Sequence, residues 1–233
     1  MSPPRRRPPV RQRDTADCRC CPLGAHCWPD ADPDDGPVPV LREAAIRGGD
    51  YLWRPGDNFR GPLIVHSGCV KIFQTTPTGE EQILRFALTG QLIGLEALAG
   101  GRHLYYAQAQ GEVLCCRIGW TPATANGAER GLERRLLRRA SQLLAAAPRA
   151  PAPRDPPTAV LEFLREVAAR LGHDDPGCEP PRRQLRLPMS RLDIGRYLGI
   201  AEETVCRAIR RLQERGLLEA RGRQISLFEA AWR

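Results

Sequence analysis

The last third of the chain carries the pattern that most restricts its fold. Residues 190–199 read SRLDIGRYLG, which predicts a short helix capped by Ser190 and ended by Gly199. The stretch AEETVCRAIRRLQERG follows and predicts a second helix with Gly216 as its stop. LLEARGRQISLF then predicts two short strands around a turn at residues 221–222. Two helices joined by a tight glycine turn and followed by a hairpin outline a winged helix-turn-helix.

The positive charge of the chain is concentrated in the same region. The whole sequence has a formal net charge of +8. Between residues 182 and 223 there are 11 arginines against five acidic residues, so most of the surplus lies in the C-terminal fifth. A basic surface of this kind favours nucleic acid as the partner.

The second helix of this pattern carries side chains that could read DNA. Glu203, Cys206 and Arg207 lie at i, i+3 and i+4 and therefore share one face near the helix start. Arg207 could donate two hydrogen bonds to guanine, and Glu203 could accept one from cytosine. Three further arginines are better placed for phosphates, namely Arg210, Arg211 and Arg215. The alternative is that Glu203 and Arg207 form only an i,i+4 ion pair on a solvated helix.

Residues 41–120 have a different pattern. Short apolar runs such as PLIVHSGCVKIF and GEEQILRF are separated by Gly and Pro turn signals, which favours a β-roll or barrel. Within it, TPTGEEQ predicts a hairpin loop with Gly79 at its tip. Residues 1–17 are rich in Pro and Arg and are predicted to be loose.

Two helices are predicted between the β-roll and the winged motif. The first covers residues 127–147 and has one narrow apolar stripe, which suits packing on its own domain or on a second copy. The members of the stripe are Leu132, Leu136, Ala140, Leu143 and Ala147. The run PRAPAPRDPP ends this helix, because proline lacks the N–H group and clashes with the preceding turn. Thr158 is predicted to cap the next helix, TAVLEFLREVAARLG.

These patterns together predict an α+β chain of four segments. The segments are a tail with a cysteine cluster (1–40), a β-roll (41–125), a helix with a Pro-rich linker (126–157) and a winged helix-turn-helix (158–233). The N-terminus lacks an export signal, and no run approaches the roughly 20 apolar residues of a membrane span, so a cytoplasmic location is expected. No P-loop, nucleophile elbow or catalytic carboxylate pair appears, so no enzymatic activity is expected.

Four cysteines lie within ten residues near the N-terminus, in CRCCPLGAHC at residues 18–27. Thiols in the cytoplasm stay reduced, so cysteines this close indicate metal or redox ligands before disulfides. Cys18, Cys21 and Cys27 have the spacing C-x2-C-x5-C. From the residues alone they could bind zinc or a cluster, form a thiol–disulfide switch, or hold no metal.

The C-terminal region resembles the DNA-binding domain of the CRP/FNR transcription regulators in the stretch SRLDIGRYLGIAEETVCRAIRRLQERGLLEARGRQISL. The stretches GGDYLWRPGD, HSGCVKIF, GEEQILRF and GQLIGLEAL resemble the cyclic-nucleotide-binding-like jelly roll of that family. The likeness is strongest to the FNR type, which senses oxygen. It implies a homodimeric activator that binds inverted TTGAT-like repeats in double-stranded DNA. It also implies that RNA polymerase contacts the loop around Thr78, Gly79 and Glu80.

The resemblance also assigns a cofactor to the cysteines. FNR-type regulators hold a [4Fe–4S] cluster with three N-terminal cysteines spaced C-x2-C-x5-C and one cysteine of the β-roll that follows an AQA stretch. The cysteines that match are Cys18, Cys21, Cys27 and Cys116. Alternation along the strand does not separate Cys115 from Cys116, and the choice of Cys116 rests on gap-free alignment with the family. The resemblance implies that oxygen converts the cluster to [2Fe–2S], loosens the dimer and lowers DNA affinity.

The chain departs from the family pattern in three places. The recognition helix has Cys206 where FNR-type helices have serine, so we expect guanine reading to be kept and the outer thymine contact to change. His103 and Leu104 stand where CRP has the Arg-Ser pair that binds a cyclic nucleotide phosphate, so no cyclic nucleotide is expected. The third departure is a set of prolines that interrupts the helix corresponding to the dimer helix of the family, namely Pro148, Pro151 and Pro153.

Two alternative hypotheses remain for the function of the chain. One is a DNA-binding regulator that uses zinc or a disulfide, and the other is an iron–sulfur carrier or scaffold.

Overall fold

The computed structural model describes residues 13–15, 21, 40–43, 45–119, 136–138, 140–141, 155–175 and 182–232. These residues form a two-sheet β domain and a C-terminal domain of helices with a small sheet. The predicted α+β fold is confirmed. None of the helices in the described ranges is both long and apolar enough to cross a membrane.

In the described part of the chain, nine strands build the β domain as two antiparallel sheets. The first sheet has the order β1 (Arg13–Thr15), β2 (Val40–Arg42), β9 (Leu114–Ile118), β4 (Leu63–Ser67) and β7 (Leu92–Ile93). The second has the order β3 (Tyr51–Trp53), β8 (Tyr106–Ala109), β5 (Cys69–Thr75) and β6 (Glu81–Leu88). Apolar side chains of both sheets meet in one buried cluster, which is what strand alternation requires of two sheets packed face to face.

The C-terminal domain begins with helix α1 (Pro156–Leu171), followed by β10 (His173–Asp175) and β11 (Arg182–Arg186). Helices α2 (Arg191–Leu198) and α3 (Glu202–Glu214) come next, then β12 (Leu218–Arg221), β13 (Gln224–Phe228) and a short helix α4 (Glu229–Trp232). The strands pair in the order β10-β11-β13-β12. Helices α2 and α3 with the β12–β13 hairpin are the predicted winged helix-turn-helix.

Helix α2 starts and stops where its sequence predicts. The Asp193 amide donates to Ser190 Oγ at 3.0 Å, and the Ser190 amide donates to Asp193 Oδ2 at 3.2 Å, which completes a capping box. Gly199 ends the helix with a φ of 69°, a left-handed conformation that glycine adopts at low cost.

We expect the substitution Ser190→Ala to lower the free energy of unfolding by about 1 kcal/mol, because the α2 amides lose their side-chain acceptor. Thermal or urea denaturation measures the loss. Ser190→Thr keeps the hydroxyl and serves as the control; equal destabilisation by both substitutions would contradict the capping argument.

Two expectations about element boundaries are wrong. Helix α1 is capped by Asp155 rather than Thr158: Asp155 Oδ2 accepts from the Thr158 amide at 3.3 Å and from Thr158 Oγ1 at 2.8 Å. Pro156 and Pro157 fit the first turn, whose N–H groups need no partner within the helix. Strand β1 lies within the tail predicted to be loose, because it pairs with β2 through backbone groups and needs no apolar alternation.

Most of the predicted helix at 127–147 lies outside the described residues, as do Pro148, Pro151 and Pro153. Residues 136–138 and 140–141 are helical. Leu136 is buried against the outer face of the first sheet, whereas Leu137 is 71% exposed. At Leu136 the apolar stripe therefore packs on its own domain, whereas the side chain of Leu137 is accessible to a second copy of the chain.

Candidate functional site

Helix α3 presents the predicted reading face to solvent. The side chains of Glu203 and Arg207 are 79% and 65% exposed, and Cys206 is an exposed free thiol. Val205 and Ile209 lie on the opposite side and are buried in the domain core. Because the apolar side of α3 is held by packing, the polar side can enter a groove without rearrangement of the helix.

The ion pair that was the alternative interpretation of this face is present. Arg207 Nη1 lies 3.9 Å from Glu203 Oε1. An exposed i,i+4 pair contributes only about 0.3–0.5 kcal/mol, whereas a bidentate contact between arginine and guanine is worth about 1–3 kcal/mol. The weak pair therefore does not compete with base contacts, and it holds the two side chains side by side.

A basic surface surrounds the reading face. Arg211 and Arg215 are exposed, and the exposed Arg210 lies 3.7 Å from Glu214 at the far end of α3. Two further arginines that the sequence did not single out anchor the wing. Arg191 Nη2 donates to the Gly222 carbonyl at 2.9 Å, and Arg223 Nη1 donates to the Pro188 carbonyl at 3.2 Å. The arginine surplus of residues 182–223 was the only sequence signal for these anchors.

Neighbouring cysteines on β9 point to opposite sides of the first sheet. Cys115 is fully buried in the cluster between the two sheets. Cys116 lies on the outer face with Val40, Ile64 and Leu136 and keeps a small exposed area. Of these two thiols, only Cys116 interacts electrostatically with Cys21.

The surroundings of Cys116 include a cation and a second cysteine. Arg42 is its direct partner across the β2–β9 pairing. Burial raises the pKa of the Cys116 thiol; a hydrogen bond with Arg42 and the Arg42 charge act in the opposite direction, and the nearby Cys21 adds to the increase. Strand β1 pairs with β2 and so lies one strand away from β9. The chain just before the cysteine cluster is thereby attached to the sheet that carries Cys116.

The other predicted thiol ligands cannot be placed. Cys18 and Cys27 lie outside the described residues, so the set of four is not seen together. Within the described ranges, no group of three or more His, Cys, Asp or Glu side chains is arranged to hold a metal ion. Cys69 is fully buried in a different cluster.

His103 stands where CRP has its phosphate-binding pair, and together with Trp53, Arg60 and Arg117 it lines a cavity of about 270 Å³. His103 is buried, stacks on Trp53 with ring centroids 4.1 Å apart, and meets the edge of Phe59. His103 Nδ1 lies 3.1 Å from Glu96 Oε1. That this chain does not use a cyclic nucleotide stays a prediction.

The predicted RNA polymerase loop forms the tip of the β5–β6 hairpin. Thr78, Gly79 and Glu80 are exposed, and Gly79 has a φ of 85°. Thr76 closes the turn: its amide donates to the Glu80 carbonyl at 2.8 Å, and its hydroxyl accepts from the Glu80 amide at 3.1 Å. The loop is thus ordered and accessible, and its contact with polymerase stays a prediction.

Known families match both domains. The "Cyclic nucleotide-binding domain" family matches residues 44–121, and the "Crp-like helix-turn-helix domain" family matches residues 160–230. In solved structures, the chain is similar to FixK2 from Bradyrhizobium japonicum, with a TM-score of 0.57 and 26% identity over 81% of this chain and 92% of that one. A CRP-family regulator from Thermus thermophilus has a TM-score of 0.63 at 21% identity over 81% and 93%, which shows the fold alone.

Curated relatives extend over nearly the whole chain. It is 31% identical to "Transcriptional activator protein FnrA" of Stutzerimonas stutzeri, over 95% of this chain and 92% of that protein. It is also 31% identical to "Transcriptional activator protein anr" of Pseudomonas aeruginosa, over the same two fractions. Identity to the "Fumarate and nitrate reduction regulatory protein" of Vibrio cholerae is 28%, over 92% and 87%.

Proposed function

This chain belongs to the CRP/FNR family of DNA-binding transcription regulators, and on that premise we propose that it senses oxygen through a [4Fe–4S] cluster. The cluster ligands are Cys18, Cys21, Cys27 and Cys116. The family consists of transcription regulators rather than enzymes, which agrees with the absence of catalytic motifs from the sequence. In this proposal the protein is a homodimeric activator on inverted TTGAT-like repeats, and it meets RNA polymerase through the loop at residues 78–80.

The observation that carries the proposal is the position of Cys116. Its thiol faces outward from the first sheet, close enough to Cys21 for the two to interact electrostatically, whereas Cys115 faces the core. Four thiolates are the usual ligand set of a [4Fe–4S] cluster, one for each iron. The donor type and the direction of the side chain therefore fit the group.

The residues around Cys116 suit both ligation and signalling. When bound, the cluster would supply an oxygen-labile centre. Burial raises the pKa of the Cys116 thiol, and the Arg42 guanidinium acts against this increase in favour of the thiolate, which is the form that binds iron. Leu136 belongs to the same buried cluster as Cys116, so a displacement of this strand acts directly on the helix at residues 136–141. That helix is the predicted dimerisation element.

DNA recognition in this proposal rests on helix α3. Arg207 donates to guanine O6 and N7, Glu203 accepts from a cytosine amine, and Cys206 contacts a thymine methyl group. Arg210, Arg211 and Arg215 bind phosphates and set the register. Two copies of the chain place two α3 helices on the two halves of the repeat.

The test is to purify the protein without oxygen and measure iron, sulfide, visible absorption and affinity for a TTGAT-N4-ATCAA duplex, before and after exposure to air. We expect a coloured protein whose DNA affinity falls by at least about tenfold in air, a coupling within the usual range for two linked sites. A zinc site or a thiol switch would be colourless, and a disulfide switch would be reversed by a thiol reductant alone. A carrier or scaffold would show no salt-dependent affinity for the duplex. A pale, iron-poor protein that binds equally in both gases would refute the proposal.

A further inference from the structure

The outer face of the β5–β6 hairpin is covered by the DNA-binding domain. Alternate residues of β5 point in opposite directions: Val70 and Ile72 face the interior of the β domain, whereas Cys69, Lys71 and Phe73 face outward. The outward apolar side chains of β5 and β6 join those of α1, α2 and α3 in a single buried cluster. The hairpin members of that cluster are Cys69, Phe73, Ile83, Phe86 and Leu88. The two domains therefore share part of one core.

Three aromatic rings form the centre of this contact. Phe86 of the hairpin lies 5.9 Å from Phe163 of α1 and 5.5 Å from Tyr197 of α2, measured between ring centroids, and both pairs meet edge to face. Phe163 and Tyr197 are themselves 5.6 Å apart. Edge-to-face pairs at these distances have a preferred orientation, so the triad restricts how α1 and α2 can rotate on the sheet.

A buried cation lies beside the aromatic triad. Lys71, which is the one lysine of the chain, has a side chain only 7% exposed. Its Nζ lies 2.6 Å from Glu81 Oε2 on the neighbouring strand and 3.5 Å from Asp193 Oδ1 on α2. Arg196 Nη1, one turn further along α2, lies 3.4 Å from the same Glu81 oxygen. Two cations and two carboxylates thus alternate across the domain boundary.

The charge of Lys71 matters because its two carboxylate partners are partly withdrawn from water. Asp193 also completes the capping box of α2 with Ser190, so the Lys71 partner helps to hold the start of the first helix of the DNA-binding motif. Burial raises the pKa of Asp193, but the Ser190 hydrogen bond and the Lys71 charge outweigh it and lower that pKa below its ordinary value. Removal of one partner from a buried ion pair leaves an uncompensated charge, which costs more than loss of an exposed pair.

We propose that Lys71 is the latch by which the β domain holds the helix-turn-helix motif in the orientation that binds DNA. The docked arrangement covers the side of α2 that carries Asp193 and Tyr197. It leaves Glu203 and Arg207 open to solvent. Loss of the latch frees the DNA-binding domain to reorient relative to the β domain, so the two recognition helices of a dimer no longer match the spacing of the half-sites.

The chain contains its own reporter for this docking. Cys69 is completely buried under the DNA-binding domain, whereas Cys115 is equally buried inside the β domain and Cys206 is exposed on α3. In native protein treated with an alkylating reagent, Cys206 should react at once. Cys69 should react only through undocking, and Cys115 only through unfolding of the β domain.

We expect Lys71→Met to raise the alkylation rate of Cys69 by at least about tenfold and to leave that of Cys115 unchanged. Mass spectrometry of the digested protein measures both rates in one sample. Affinity for the operator duplex should fall with the same substitution while the circular dichroism of the helices stays constant. Unchanged Cys69 labelling would overturn the proposal, and increased DNA affinity would show that the contact is inhibitory and would overturn it equally.

Faster Cys115 labelling would reveal that Lys71→Met does not fold. A second pair of variants tests the proposal in that case. Glu81→Gln removes a latch charge that is only partly buried, and Glu112→Gln makes the same chemical change at an exposed position of the β domain. Faster Cys69 labelling in Glu81→Gln alone is the expected result, and equal labelling in the two variants would contradict the latch. None of these cysteines is a proposed cluster ligand, so labelling tests the latch and iron content tests the cluster.

Discussion

Replacement of Cys116 by serine should leave the protein nearly free of iron and sulfide after purification without oxygen. Wild-type protein should carry about four iron atoms per subunit, because each iron of the cluster takes one thiolate. A serine hydroxyl is a poor substitute, since it is not deprotonated at neutral pH and is a harder donor than sulfur. Iron and sulfide analysis together with visible absorption measures the loss.

Cys115→Ser is the matched control for this experiment. Cys115 is adjacent in sequence and equally able to bind iron as an isolated residue, but its side chain lies between the two sheets. The control should keep its full iron content, provided that the buried hydroxyl does not unfold the β domain, which circular dichroism monitors. If Cys115→Ser loses the cluster and Cys116→Ser retains it, the ligand assignment is wrong.

Replacement of Arg207 by alanine should strongly reduce discrimination between the operator and a scrambled duplex. A bidentate contact to guanine is worth about 1–3 kcal/mol. The proposed dimer would make that contact twice, so the expected loss is about 2–6 kcal/mol, or roughly 30-fold and more in affinity. Fluorescence anisotropy at several salt concentrations measures affinity for both duplexes.

Arg211→Ala provides the comparison for a residue that we propose to bind phosphate. It should weaken binding to both duplexes to a similar extent and make the dependence of affinity on salt less steep, because fewer counterions are released. Arg207→Ala should instead weaken binding to the operator selectively. Equal losses on both duplexes in Arg207→Ala would mean that Arg207 contacts the backbone and does not read a base.

The sequence and the structure agree best where an element is specified by its own residues. Ser190 and Gly199 bound α2 as predicted, since both signals act through hydrogen bonds and backbone preferences within one turn of the helix. Gly79 lies in the predicted hairpin for the same reason. Prediction failed at α1, where Asp155 and two prolines start the helix before Thr158, because the Pro-rich run was interpreted only as a helix stop.

The predictions about the candidate sites also succeeded where local spacing was sufficient and were incomplete where tertiary packing was needed. The face shared by Glu203, Cys206 and Arg207 follows from helical spacing, and α3 presents these residues together. Which face of β9 is buried does not follow from strand alternation, which gives two faces without saying which one is inside. The buried face of β9 is determined by its pairing with β2 and β4 and by the second sheet, which covers Cys115.

The sequence by itself determined the winged helix-turn-helix, the β-roll and the cysteine spacing, because periodicity, capping and turn chemistry act over a few neighbouring residues. Only the tertiary structure decided that Cys116 faces outward toward Cys21, and that Lys71 joins the β domain to Asp193, a residue 122 positions further along the chain. The physical reason is that burial and ion pairing depend on which distant surfaces come together when the chain packs, and no local pattern records the partner.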